Sequence, residues 1–214
     1  MKRTFWVGLA VGLMIFGATE RAALAGQSHS WNLSRDMMNG INTNPKGTWA
    51  FMQNDSGVHD PNQYTLLPNR SSPCLGMPGV TCWADYSKDW SIVGVPAKKY
   101  DNGQGDIFVQ GVPFLHPGID SQIIIRWKSP IVKGTISVLG KASDFSYCGD
   151  GIKWSLETGS SVIQSGVMED GGSFSFIAQN LPVTTSTSLY FIVGNNGTHD
   201  CDLTNIDMII TSQE

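Results

Sequence analysis

From residue 123 onward, apolar residues come in short runs separated by turn signals. Runs at 123–127, 135–139, 152–156, 162–164, 173–178, 189–193 and 206–210 predict strands, and several alternate strictly, with Ile152, Trp154 and Leu156 on one face and Phe174, Phe176 and Ala178 on another. Gly159, Gly171-Gly172 and Asn195-Asn196-Gly197 punctuate them. Many short strands at near-even spacing, with no helical period between them, predict an all-β fold of two packed antiparallel sheets, a β-sandwich. Upstream, the turn Asn44-Pro45-Lys46-Gly47 precedes an alternating strand at 48–52, a loop follows over 55–63, and 64–67 reads as another short strand. Among the aromatics of this region, Trp49 is expected in the core.

Residues 69–111 have no such pattern. Trp83, Tyr86, Trp90 and Tyr100 stand there among Asp, Lys, Asn and Gly, with no apolar stripe at helical spacing. The segment is expected to be irregular, and long loops in compact domains usually carry function. No internal repeat, low-complexity tract or linker divides the chain, so one domain over 26–214 is expected.

The first 25 residues change the picture. Basic Lys2 and Arg3, an apolar run over 5–18 and the small-residue sequence Ala23-Leu24-Ala25 predict a secretory signal peptide. The run is short for a membrane span, and no span is expected in the mature chain. Cleavage after residue 25 leaves 189 of the 214 residues, enough for a sizeable core. Lys2, Arg3, Arg21 and Glu20 leave with the leader, shifting the formal net charge from −4 to −6. A mildly acidic surface without a basic run argues against nucleic acid or an anionic membrane as partner. The cysteines Cys74, Cys82, Cys148 and Cys201 all follow the cleavage site, and an even count in an oxidising compartment predicts two disulfides. Of three pairings, 74–82 with 148–201 is favoured: the first closes a short loop bent by two glycines and Pro78, and the second ties two Gly/Asp-rich loops at one end of a sandwich. A metal site would be the competing use of these cysteines, but no Cys-x-x-Cys or His-x-x-x-His spacing supports it.

Candidate chemistry centres on Cys148-Gly149-Asp150-Gly151. The flanking glycines allow a sharp turn, and the carboxylate either satisfies local backbone donors or binds a cation. A 148–201 disulfide would bring Asp200, Asp202 and Thr204 near Asp150, an oxygen-rich set suited to a structural calcium, although no EF-hand spacing is present. His116 reads as a hydrogen-bonded structural residue in a turn, and of Arg126 and Trp127 the tryptophan is expected inward. Glycosidase chemistry would need two carboxylates across a cleft. Glu157 and Glu169 are expected at exposed strand ends or turns, nothing places Asp144 and Asp150 at working distance, and Gly159-Ser160-Ser161 is not a nucleophile elbow. No catalytic residue is assigned.

Asn44-Pro45-x-Gly47-x-Trp49, Leu115-His116-Pro117-Gly118, Arg126-Trp127-x-Ser129-Pro130, Gly149-Asp150-Gly151 and Asp202-x-Thr204 occur in that order. Together they resemble an uncharacterised bacterial extracellular β-sandwich domain found in exported proteins of proteobacteria, planctomycetes and cyanobacteria. The resemblance covers nearly all of the mature chain. It implies a likeness to jelly-roll carbohydrate-binding modules, with no established catalytic residues. Many relatives carry a C-terminal Pro-Glu-Pro sorting tail, whereas this sequence ends Ile210-Thr211-Ser212-Gln213-Glu214, so a soluble product is expected. The leading expectation is a secreted or periplasmic, non-catalytic module that binds extracellular glycan. Trp83, Tyr86, Trp90 and Tyr100 would be its contact residues, because flat rings stack on the C–H faces of sugars. The alternatives are a structural or assembly protein that packs on an envelope partner, and a glycan-active hydrolase or lyase.

Overall fold

The computed structural model describes residues 28–88, 90–146 and 148–213. The leader expected over 1–25 lies outside the described residues. The described chain opens with β1 (Ser30–Asn32) and α1 (Leu33–Met38), followed by β2 (Trp49–Asn54), β3 (Thr65–Leu66), β4 (Asn69–Ser71), β5 (Val80–Asp85), β6 (Ser91–Pro96), β7 (Tyr100–Asp101), β8 (Ile107–Phe108) and β9 (Phe114–His116). Longer strands follow: β10 (Gln122–Lys128), β11 (Lys133–Asp144), β12 (Ile152–Thr158), β13 (Ser161–Met168), β14 (Ser173–Thr184), β15 (Ser188–Asn195) and β16 (Thr204–Gln213).

Apart from β7 and β8, which pair with each other as a separate ribbon, these strands form two antiparallel sheets packed as a β-sandwich. The larger runs β14-β11-β16-β9-β6-β5-β4, with β1 also paired to β16, and the smaller runs β13-β12-β15-β10-β2-β3. From β10 onward the chain crosses repeatedly between sheets, so each run buries one face against the other layer; on the smaller sheet much of the opposite face is buried too, around Ile124, Tyr190 and Ile192. Phe51, Trp127 and Phe191 from the smaller sheet meet Leu115, Phe176 and Ile210 from the larger, and none is more than 2 % exposed. Phe176 stacks on Phe191 across the layers with ring centroids 5.1 Å apart. Trp49 is buried in the same core, and Arg126 points away from it.

Two parts of the chain differ from the expected pattern. Residues 69–111 are not an irregular tract: they contain β4 to β8, two of which lie well inside the larger sheet. Every residue of β6 is buried, so it shows no polar alternation for a periodicity argument to detect. The helix α1 also goes beyond the expectation. Asn32 caps it by accepting from the Arg35 N–H at 2.7 Å, while Leu33 and Met37, one turn apart, are buried. Its Asp36 accepts a hydrogen bond from Trp49 Nε1 at 2.9 Å, tying the helix to β2.

The Asn44-Pro45 turn has a specific structural task. The Asn44 side chain accepts from the Phe51 N–H and donates to the carbonyls of Phe51 and Leu67, at 3.0, 2.7 and 3.2 Å. One side-chain amide thereby satisfies backbone groups next to the β2–β3 pairing. Among the described residues no helix is long and apolar enough to cross a membrane.

Candidate functional site

On β5, β6 and β9 alternate side chains face away from the main core, yet most of them do not meet solvent. Val80, Cys82, Ala84, Ile92 and Phe114 join Cys74, Met77 and Phe108 in a second apolar cluster on the outer face of the larger sheet. Surface segments wrap over this cluster, and disulfides anchor two of them: Cys74 pairs with Cys82, and Cys148 with Cys201. Between the wraps lies a cleft of about 350 Å³, within the range of small-ligand sites. Its floor is apolar, formed by Ile92, Phe108, Phe114 and Leu203, and its polar lining includes Asn102, Gln104, Asp106 and His116.

The cleft's polar groups are held by local bonds. Asp106, 8 % exposed, accepts from Asn102 Nδ2 at 2.6 Å and from the Ser146 hydroxyl at 3.0 Å. Asn102 Oδ1 in turn accepts from the backbone N–H groups of Gln104 and Asp106. His116 is buried and its Nδ1 lies 2.7 Å from the Pro117 carbonyl; a carbonyl only accepts, so Nδ1 carries the proton. Its ring meets His199 edge-on, with centroids 6.2 Å apart.

Trp90 also lines the cleft. It is 51 % exposed, with φ of +70°, a left-handed conformation that side-chain-bearing residues rarely adopt. The other three expected contact residues, Trp83, Tyr86 and Tyr100, lie elsewhere. Trp83, on β5, packs against the main core and donates from Nε1 to the Ile41 carbonyl at 3.1 Å. Tyr86 is exposed in the 3₁₀ turn Tyr86–Lys88, with its hydroxyl bonded to that of Ser71. Tyr100 packs on Phe108 with centroids 5.9 Å apart. The structure therefore brings Trp90 together with Asn102, Asp106 and His116, and leaves Trp83, Tyr86 and Tyr100 outside the cleft lining. Sequence reasoning passed over Asn102 and Asp106, although Asp101-Asn102-Gly103 carries the Asx-turn chemistry that shapes their loop.

The Cys148–Cys201 bridge brings the loop at Asp150 beside residues 200–204. Asp150 Oδ2 accepts from the Thr198 N–H at 3.0 Å, but its Oδ1 is buried without a hydrogen-bond partner among the described residues. Asp202 is 2 % exposed, and neither of its carboxylate oxygens has such a partner. Burial pushes the Asp202 carboxyl up to about 7, and the charges of Asp150, Asp144 and Asp200 add to the effect. Burial also raises Asp144 above the usual carboxylate range, against the backbone N–H groups of Gly171 and Ser146, which favour its ionised form. The Asp200 side chain is exposed, and the Thr204 hydroxyl donates to the Asp202 carbonyl at 3.3 Å. Among the described residues no three His, Cys, Asp or Glu side chains group as a metal-binding set.

Glu157 corrects the expectation of an exposed strand-end carboxylate. It is fully buried on the outer face of the smaller sheet, beneath the loop that carries His59. Its Oε1 accepts from the Ser155 hydroxyl at 2.5 Å and pairs with His59 Nδ1. Nearby, burial and then the Glu157 charge hold the Tyr64 phenol well above its ordinary range. Glu157 does stand near the end of β12, opposite Tyr190, but the loop that carries His59, distant in sequence, covers it.

No protein-family model matches the chain, and no curated protein does. Among solved structures the chain is similar to a cleaved adhesin domain of Lys-gingipain from Porphyromonas gingivalis, at 9% identity and a TM-score of 0.43, covering 88% of this chain and 99% of that one. It is also similar to TmCBM61, solved with β-1,4-galactotriose, at 17% identity and a TM-score of 0.39, covering 63% and 87% of the two chains. A third likeness is to CBM51 from Clostridium perfringens, solved with methyl-galactose, at 10% identity and a TM-score of 0.38, covering 68% and 94%.

Proposed function

We propose that this protein is an exported, non-catalytic β-sandwich module that binds carbohydrate in the cleft beside Trp90. The observation that carries the reading is Trp90 itself: a large ring, half exposed, held in a left-handed backbone conformation at a cleft with an apolar floor and an amide- and carboxylate-bearing rim. An indole face packs on the C–H groups of a sugar ring, while Asn102, Gln104 and Asp106 match its hydroxyls. The two disulfides support an oxidising compartment, either the periplasm or the exterior. The reading gives the module a structural calcium, held away from the sugar in the loops around Asp150 and Asp202.

The test is a glycan array followed by pull-downs on insoluble polysaccharides. A glycan captured by the wild-type protein should be held at least about tenfold more weakly by Trp90→Ala, a loss of about 1.4 kcal/mol. The variant should melt at the wild-type temperature, because the ring is half exposed. A folded wild-type protein that captures no glycan in either assay overturns the reading.

A further inference from the structure

Three buried carboxylate oxygens in the two loops joined by the Cys148–Cys201 bridge lack a donor among the described residues: both of Asp202 and Oδ1 of Asp150. Neither residue has a Lys, Arg or His ion pair among the described residues. Leaving a carboxylate as buried as Asp202 dry and ionised is far more costly than burying a neutral polar group, so such a group takes up a proton or holds a counter-charge. Backbone oxygen lies in the same place. A β-carbon built on Gly149 would sit 2.9 Å from the Asp200 carbonyl and 3.5 Å from Asp202 Oδ1, so both oxygens turn toward the same small residue. Gly197 plays the matching part beside Asp150, where an added β-carbon would strike Oδ2. The donors these residues offer, the Asp150 and Asp202 carboxylates and the Asp200 carbonyl, are all oxygens. That is the donor chemistry of a hard divalent cation with a high and flexible coordination number.

We infer that Asp150 and Asp202, with the Asp200 carbonyl, bind one calcium ion that clips the 148–151 loop to residues 200–204. This deepens the structural-calcium part of the reading above and rests on it, but not on the glycan specificity of the cleft. The donor set differs from the one the sequence suggests. Asp200 contributes its carbonyl and not its exposed side chain, and the Thr204 hydroxyl is occupied by the Asp202 carbonyl. The ion also has a structural consequence for the cleft. Cys201 and Leu203 line it, with Asp202 between them facing the acidic cluster, so the cation fixes the wall from behind.

The experiment uses the full mature protein, stripped with EDTA and returned to calcium chloride. Calcium at about a hundredfold above its Kd should raise the melting temperature by about 5–10 °C, and calorimetry should count one ion per chain. Asp202→Asn should abolish both responses, and Asp200→Asn should keep both. If Asp202→Asn does not fold, the wild-type stoichiometry and the Asp200→Asn response still decide the matter. A wild-type protein whose melting is the same in EDTA and in millimolar calcium, with no binding heat, overturns the inference. So does an Asp200→Asn variant that loses the ion. Glycan capture measured on the same samples separates the two readings. Capture that persists without any calcium binding removes only the ion, and calcium binding without any capture removes only the glycan.

Discussion

Asp202 sits where water, a proton or a cation must answer for its charge, and its environment makes the answer depend on pH. Its carboxyl titrates at about 7 in the folded chain against an ordinary value of 3.8. An acid whose folded value is raised stabilises the fold fully below about pH 3.8, and the contribution is lost as the pH rises toward and through about 7. In EDTA, the wild-type melting temperature should therefore fall relative to Asp202→Asn between pH 4 and pH 8, with the gap constant above that range. Thermal melts of the two proteins in matched buffers check this, and a gap that does not widen refutes it. At this scale the sequence was partly legible. The bridges could be read from cysteine spacing and loop composition, because each closes a segment rich in turn residues. The fates of Trp83, Tyr86 and Trp90 could not, because ring exposure is decided by strands and wraps distant in sequence.

Main chain approaches main chain closely where β12 begins. Gly151 has φ of +82°, and a β-carbon there would run into the Met168 carbonyl at the end of β13. Gly151→Ala combines backbone strain with a clash against main chain that cannot swing away, so it should cost about 2 kcal/mol or more, measured as a lower urea midpoint. Strands such as β11 and β14 were legible because one face meets solvent and a period of two follows, whereas β15, buried on both faces, was legible as a short apolar run bounded by turn residues. The central strands β5 and β6 were not: a wrap covers their outer face, which removes the polar half of the signal. The six-residue helix α1 is too short to show a periodic stripe, and its one visible cue was a cap at Asn32.

For the whole molecule, the two cystines differ mainly in how much chain they close. Cys148–Cys201 spans 53 residues and Cys74–Cys82 spans 8. Loop-closure entropy then assigns about 4 kcal/mol to the longer crosslink and about 2.5 kcal/mol to the shorter. Chemical denaturation of the two Cys-to-Ser pair variants should give that order, with the 148–201 pair the more damaging. The two-sheet architecture was readable in advance, whereas the cleft was not, since it is made by segments with no period of their own. The two cystines hold loops beside the larger sheet: Cys82 lies on β5 and clips the turn at Cys74 to that strand, and Cys148–Cys201 ties the β11–β12 loop to the β15–β16 loop. A thiol reductant is therefore a selective tool on this molecule. It releases the clips beside the cleft, and on the proposed reading a sugar bound there would spend part of its affinity on ordering the cleft's walls. A copy kept reduced would also forgo the several kcal/mol that the two crosslinks contribute to holding the fold.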